Sequence, residues 1–149
     1  MLIGEICTRE VIIAFRDDSI IEIAKLMRKY HVGDIVIVDK QVNQGYPVGI
    51  ITDRDIVLEL IAREVDITRV VAGDIMSTNL LIVNEKDDLT IVLDQMRAKG
   101  VRRIPVINGE NKLIGIVTEN DIIEVISEQL TGLVSLVEKG DHREHINRS

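Results

Sequence analysis

Gly49-Ile50-Ile51-Thr52-Asp53-Arg54-Asp55 returns in kind as Gly115-Ile116-Val117-Thr118-Glu119-Asn120-Asp121, 66 residues later. Each segment is an apolar run that meets a Thr-x-x-Asp. The run reads as a strand, and the Thr and Asp read as the box that caps a helix start. Upstream the similarity continues at an offset of 69 residues, because the loop over 40–47 is three residues longer in the first copy. Gly4-Glu5-Ile6-Cys7-Thr8 matches Gly73-Asp74-Ile75-Met76-Ser77, and Met27-Arg28 matches Met96-Arg97. The chain is thus a duplication. Two copies are too few for a solenoid, so internal pseudo-symmetry is the expectation.

Within each copy the pattern predicts strand, helix, strand, strand, helix. Val11–Ala14 and Leu80–Val83 begin the copies as short apolar runs. Ser19 and Asp88 stand at N-cap positions, with Glu22 placed to reach back to Ser19. The faces Ile20, Ile23, Ala24, Met27 and Leu89, Val92, Leu93, Met96 follow the i, i+3, i+4, i+7 spacing of a half-buried helix. Gly100 and its counterpart His31 fall where a helix ends in a left-handed residue. Strands are expected at Ile35–Val38, Val48–Ile51, Ile104–Ile107 and Ile114–Val117. Hairpin loops hold Asn43 and Gly45, or Asn108-Gly109. The second helices run from about Asp53 to Glu64 and from Glu119 to about Val137. Residues 1–70 form repeat one with its linker and 71–138 form repeat two. The polar tail 139–149 is expected to be disordered. Each three-stranded sheet would be marginal alone. The expected fold is therefore α/β, with two repeats packed sheet to sheet about a pseudo-two-fold axis and helices outside.

Composition limits the function. The 149 residues carry a net charge of −7, which argues against nucleic acid as a partner. One Phe and two Tyr cannot build a base-stacking platform. Ile and Val supply 43 residues, a β-branched bulk that favours strands. Cys7 is the sole cysteine, so no internal disulfide or cysteine-rich zinc site can form. It has no His or Lys close in sequence to make it a nucleophile. His142 and His145 are too few for a metal centre. The start MLIGEICTREV does not resemble a signal peptide, and charge interrupts every apolar run before it could span a bilayer. A cytoplasmic protein without membrane insertion is expected. No nucleophile–base pair, Walker loop or metal-ligand spacing is present, so no catalysis is expected.

The ordered set of these motifs, present twice over about residues 3–130, resembles a tandem pair of CBS domains, a Bateman module. Gly73-Asp74-Ile75-Met76-Ser77 and Val101-Arg102-Arg103-Ile104-Pro105-Val106 carry the resemblance together with the two Thr-x-x-Asp segments. It implies a regulatory module that needs no cofactor but binds an adenosyl ligand between its repeats. AMP, ADP or ATP is the class expected, with S-adenosylmethionine or NAD as alternatives. It also implies a homodimer and an unidentified protein that the module regulates. Thr52, Asp55, Thr118 and Asp121 would then face ribose and phosphate, besides capping helices. An ionised Asp can accept both hydroxyls of a ribose diol. Ile12, Ile13, Leu81 and Ile82 would wall the adenine, besides serving as core strand.

Arg102 and Arg103 would meet phosphate, which suits a guanidinium; as a generic pair they would be solvated surface charge. Their counterparts Gly33 and Asp34 carry no positive charge, so the two clefts are expected to differ. A dimer is also the reading of two apolar helix faces. One is Ile56, Val57, Leu60 and Ile61; the other is Ile122, Ile123, Ile126 and Leu130, extended by Leu133, Val134 and Val137. The competing reading is a dimerisation or docking module that binds no ligand.

Overall fold

The structure is a computed structural model that describes residues 1–40 and 45–148, with side chains through residue 141. Asn43 of the first hairpin, and the side chains of His142 and His145, lie outside the described residues. Two three-stranded sheets form the centre. The first has the order β1 (Ile13–Phe15), β2 (Asp34–Val38), β3 (Pro47–Thr52), and the second β4 (Val83–Asn84), β5 (Arg103–Ile107), β6 (Leu113–Thr118). In each the first pair is parallel and the second antiparallel.

The helices between the parallel strands are α2 (Ile20–Tyr30) and α5 (Leu89–Lys99). Ser19 Oγ accepts the Glu22 N–H at 3.2 Å, and Asp88 Oδ2 accepts the Thr90 N–H at 3.0 Å. The Glu22 carboxylate does not reach back; it lies 3.7 Å from Lys25 Nζ. His31 (φ 53°) and Gly100 (φ 70°) are both left-handed, as their positions require. Ile20, Ile23, Met27, Val92 and Met96 are buried, whereas Ala24 is exposed at the rim of a shallow apolar groove.

The second helices differ. α3 (Asp53–Ile56) passes into a π-helical turn over Val57–Ile61 and stops, with Glu64 left-handed. α6 (Glu119–Arg148) is one continuous helix. It does not end near Val137. The expected disordered tail continues the helix instead, since 138–148 holds no proline and is largely made of residues that helices accept.

Strand alternation sorts the apolar residues into layers. Ile35, Ile37 and Ile51 face one helical layer, and Ile104, Val106 and Val117 face the other. Val36, Val38, Ile50 and Ile116 point between the sheets and form a third, central cluster.

Two four-residue helices join the halves. α1 (Ile3–Ile6) lies in the first copy but packs on the second: Ile3 is fully buried with Val83, Val92 and Val117. α4 (Ala72–Ile75) lies in the second copy but packs on the first, with Ala72 fully buried beside Ile20 and Ile51. The hydrogen bonds repeat in pairs. Gly4 N–H donates to Glu85 O at 2.8 Å, and Gly73 N–H donates to Arg16 O at 2.9 Å. Thr8 exchanges two backbone bonds with Ile116, and Ser77 exchanges two with Ile50.

These crossings explain two repeated glycines. A Cβ on Gly115 would lie 2.8 Å from Cys7 Sγ and 2.9 Å from the Thr8 carbonyl oxygen. A Cβ on Gly49 would overlap the Met76 side chain from Sδ back to Cγ, and no backbone atom is among its nearest neighbours. Gly115→Ala should therefore destabilise by about 1–3 kcal/mol, and by more than Gly49→Ala, in chemical denaturation. Gly109→Ala, with open space around it, is the neutral control.

The same crossings make the halves interdependent. Residues 1–70 lack α4 and residues 71–149 lack α1, so each isolated half should fail to fold cooperatively, as judged by circular dichroism and thermal melting.

Candidate functional site

Each Thr-x-x-Asp ends a central β-hairpin and starts a helix. Thr52 N–H donates to Asp55 Oδ2 at 2.9 Å, and Asp55 N–H donates to Thr52 Oγ1 at 3.1 Å. Thr118 and Asp121 repeat the pair at 2.9 and 3.3 Å. All four residues therefore act as capping boxes. Among the described residues the second oxygen of each carboxylate, Oδ1, accepts no hydrogen bond.

A cleft of about 270 Å³ opens beside the first box. Thr52, Asp55 and Ile50 line it from the first repeat, and Ser77, Asn79, Leu80 and the segment 100–103 from the second. The cleft therefore gathers Thr52, Asp55, Arg102 and Arg103 into one place. Its size is just below the roughly 300–1,000 Å³ usual for small-ligand sites. A wider hollow of about 560 Å³ lies on the other side of Asp55, lined by Glu59, Leu60, Arg63 and Asp74 among others. It contains neither arginine of the pair.

Pseudo-symmetry defines the counterpart of the arginine cleft. Thr118, Asp121 and Ile116 take the places of Thr52, Asp55 and Ile50. Thr8, Glu10, Val11 and the segment 31–34 take the places of Ser77, Asn79, Leu80 and 100–103. Glu10 and Asp34 thus stand where the first cleft has Asn79 and Arg103. One cleft has two arginines at its edge; the counterpart positions hold Gly33 and Asp34.

The arginines are not free. Arg103 Nε donates to Asp34 Oδ2 at 2.9 Å, in a pair that is only partly exposed. Arg102 Nε lies 3.8 Å from Glu119 Oε2, far more exposed.

The adenine-wall candidates sit elsewhere. Ile12 packs into the core of the first repeat and Leu81 into that of the second. Ile13 is exposed and Ile82 half-buried. The cleft is lined one residue earlier, by Leu80, and by Ser77, Asn79 and Ile50. Sequence reading missed these four. The signal was available in the crossing segment Met76-Ser77, which pairs with Ile50 beside the capping box.

Cys7 packs against Gly115, and burial pushes its thiol pKa up, with Arg9 pulling the other way. Among the described residues no cluster of three metal-ligating side chains occurs.

A duplicated α/β unit with inter-repeat clefts defines a class, and comparison with known proteins gives the family. The CBS domain model matches residues 3–62 and 72–128, and the chain belongs to that family as a tandem pair. It is 37% identical over 123 residues to an uncharacterized protein of Methanopyrus kandleri, covering 83% of this chain and 61% of that one. A CBS domain pair solved in complex with 5′-methylthioadenosine and S-adenosyl-L-methionine superposes with a TM-score of 0.71 at 29% identity, covering 87% and 98% of the two chains. A CBS domain protein from Pyrobaculum aerophilum, complexed with AMP, gives 0.71 at 25% identity, covering 81% and 89%. A hexameric CBS-CP12 protein from bloom-forming cyanobacteria gives 0.73 at 25% identity, covering 83% and 66%. Among the described residues no helix is long and apolar enough to cross a membrane.

Loss of a box side chain should cost about 1 kcal/mol of stability. Thr52→Val and Thr118→Val should each lower the melting midpoint by that equivalent in differential scanning calorimetry.

Proposed function

We propose that this CBS pair is a regulatory module that senses an adenosyl nucleotide of the AMP, ADP or ATP class. The observation that carries the reading is the single cleft shared by Thr52, Asp55, Arg102 and Arg103. Asp55 Oδ1 remains able to accept a ribose hydroxyl while Oδ2 caps α3. Thr52 presents its hydroxyl beside it. The guanidinium groups at the other edge suit a phosphate, and the apolar Ile50 and Leu80 suit an adenine face. The AMP-bound and S-adenosyl-L-methionine-bound relatives support the ligand class. Asp121 belongs to the counterpart positions, where Gly33 and Asp34 stand in place of the arginine pair and Glu10 in place of Asn79.

Thermal shift against AMP, ADP, ATP, S-adenosylmethionine, NAD and adenosine tests this. Ligand at 100 times its dissociation constant should add about 2.7 kcal/mol. Asp55→Ala should abolish most of the AMP shift, while Asp121→Ala should keep it. No shift with any compound would favour a docking module without ligand. Equal loss in both variants would misplace the site.

Self-association belongs to the same reading. Leu60 and Ile122 are buried in their own repeats, so they leave the proposed contact face. Val57 and Ile61 beside α3, and Ile123, Ile126, Leu130, Leu133, Val134 and Val137 on α6, stay exposed. Such a row on one helix is wider than isolated surface residues account for. A second copy covering it would give a homodimer that signals to a regulated partner. Sedimentation should show a dimer at micromolar concentration, and Ile126→Glu with Leu133→Glu should convert it to monomer. A wild-type monomer would overturn the dimer.

A further inference from the structure

The Asp34–Arg103 pair sits at a special place. Asp34 opens β2 and Arg103 opens β5, and the two are equivalent positions of the duplication, 69 residues apart. Each lies opposite the threonine of its own capping box: Asp34 opposite Thr52, and Arg103 opposite Thr118. Residues related by a pseudo-two-fold axis meet only where the axis passes. Here they meet with opposite charges. Among the described residues this is the sole ion pair between the strands of the two sheets.

We propose that this pair is an exchangeable latch: a phosphate-bearing ligand in the Thr52–Asp55 cleft takes the Arg103 guanidinium from Asp34. A ligand without phosphate leaves the latch closed. The inference rests on the nucleotide-sensing reading above and adds to it how occupancy would reach the rest of the module.

Three observations carry it. Arg103 lines the cleft, and Asp34 is not among the lining residues, so the cation of the pair is the partner that a ligand in the cleft meets. The pair uses Nε alone; among the described residues the two terminal nitrogens of Arg103 donate no hydrogen bond. They are the donors with which a guanidinium grips phosphate, often in pairs. The side chains are 39% and 24% exposed, so water and ligand reach the pair, while its field is less screened than at an open surface.

A phosphate and the Asp34 carboxylate are both anions competing for one cation, and they also repel each other. Binding the first therefore weakens the hold of the second. Because Asp34 belongs to β2 and Arg103 to β5, this loosens the charged tie that joins strands of the two sheets. The neighbouring Arg102–Glu119 contact lies within the second repeat and joins nothing across the axis.

The test compares AMP with adenosine by titration calorimetry on the intact chain. Removing the competing charge in Asp34→Asn should tighten AMP about fivefold or more, within the usual range of coupling factors. Adenosine affinity should change less than about twofold on the same scale. Arg103→Gln should weaken AMP and spare adenosine. Asp34→Ser is the second variant, and thermal melting confirms that each protein is folded.

A spectroscopic readout is independent of affinity. The Arg103 Nε–H resonance, identified by its loss in Arg103→Gln, should shift when AMP is added and stay in place with adenosine. The latch is overturned if folded Asp34→Asn and Asp34→Ser proteins bind AMP no tighter than wild type. It is equally overturned if adenosine moves the resonance as AMP does. Wild-type protein that binds AMP without these changes leaves the sensing reading intact and removes the latch alone. Wild-type protein that binds no AMP removes both.

Discussion

The exchange of α1 and α4 between repeats is the constraint on which the rest of this structure depends. A three-stranded sheet with one long helix leaves part of its apolar face open. In each repeat that gap is closed by a short helix whose sequence belongs to the other copy, with Ile3 and Ala72 fully buried. The connecting strands must then pass close over β6 and β3. The approach is tightest at Gly115, where an added Cβ would meet backbone; at the matching Gly49 it would meet the Met76 side chain. The same passage brings Ser77 alongside Ile50 and so builds one wall of the arginine cleft beside Thr52 and Asp55. Folding and site formation are consequences of one crossing.

The duplication is nearly symmetric in backbone and distinctly asymmetric in charge. Hydrogen bonds, caps and left-handed helix ends come in matched pairs. The positions around the arginine cleft do not match. Arg102 and Arg103 face Gly33 and Asp34, and Asn79 has Glu10 as its counterpart. An exact charge duplicate would place two like charges together on the axis, at a cost that grows as the pair is buried. The Asp34–Arg103 pair replaces that repulsion with attraction, and in doing so it makes the two clefts chemically different.

The second helices diverge for a different reason. α3 breaks into a π-turn and gives way to the linker, so it is short and anchored by Leu60. α6 meets no such junction and extends well beyond Ile122, the residue that anchors it. Its exposed apolar row therefore lies mostly past residue 128, where the match to the second CBS domain ends. The family match covers the arginine cleft, and the exposed apolar row of α6 runs on beyond it.

Much of the fold was legible in the sequence because its signals are local. Strand alternation, helix periodicity, the Ser19 and Asp88 caps, the left-handed His31 and Gly100, and the two capping boxes each depend on residues within a few positions of one another. The repeat then implied two equivalent sheets. Local signals failed in two places: Glu22 turned to Lys25, and α6, meeting no proline or junction to stop it, ran on to Arg148. Only the tertiary structure decided which core each short helix completes. It alone showed that the arginines and Asp55 border one cleft, with Leu80 on its wall. It alone showed that Asp34 and Arg103 touch. Sequence equivalence tells that two residues occupy similar environments. Whether they meet depends on where the symmetry axis runs, and that is set by the packing of the whole molecule.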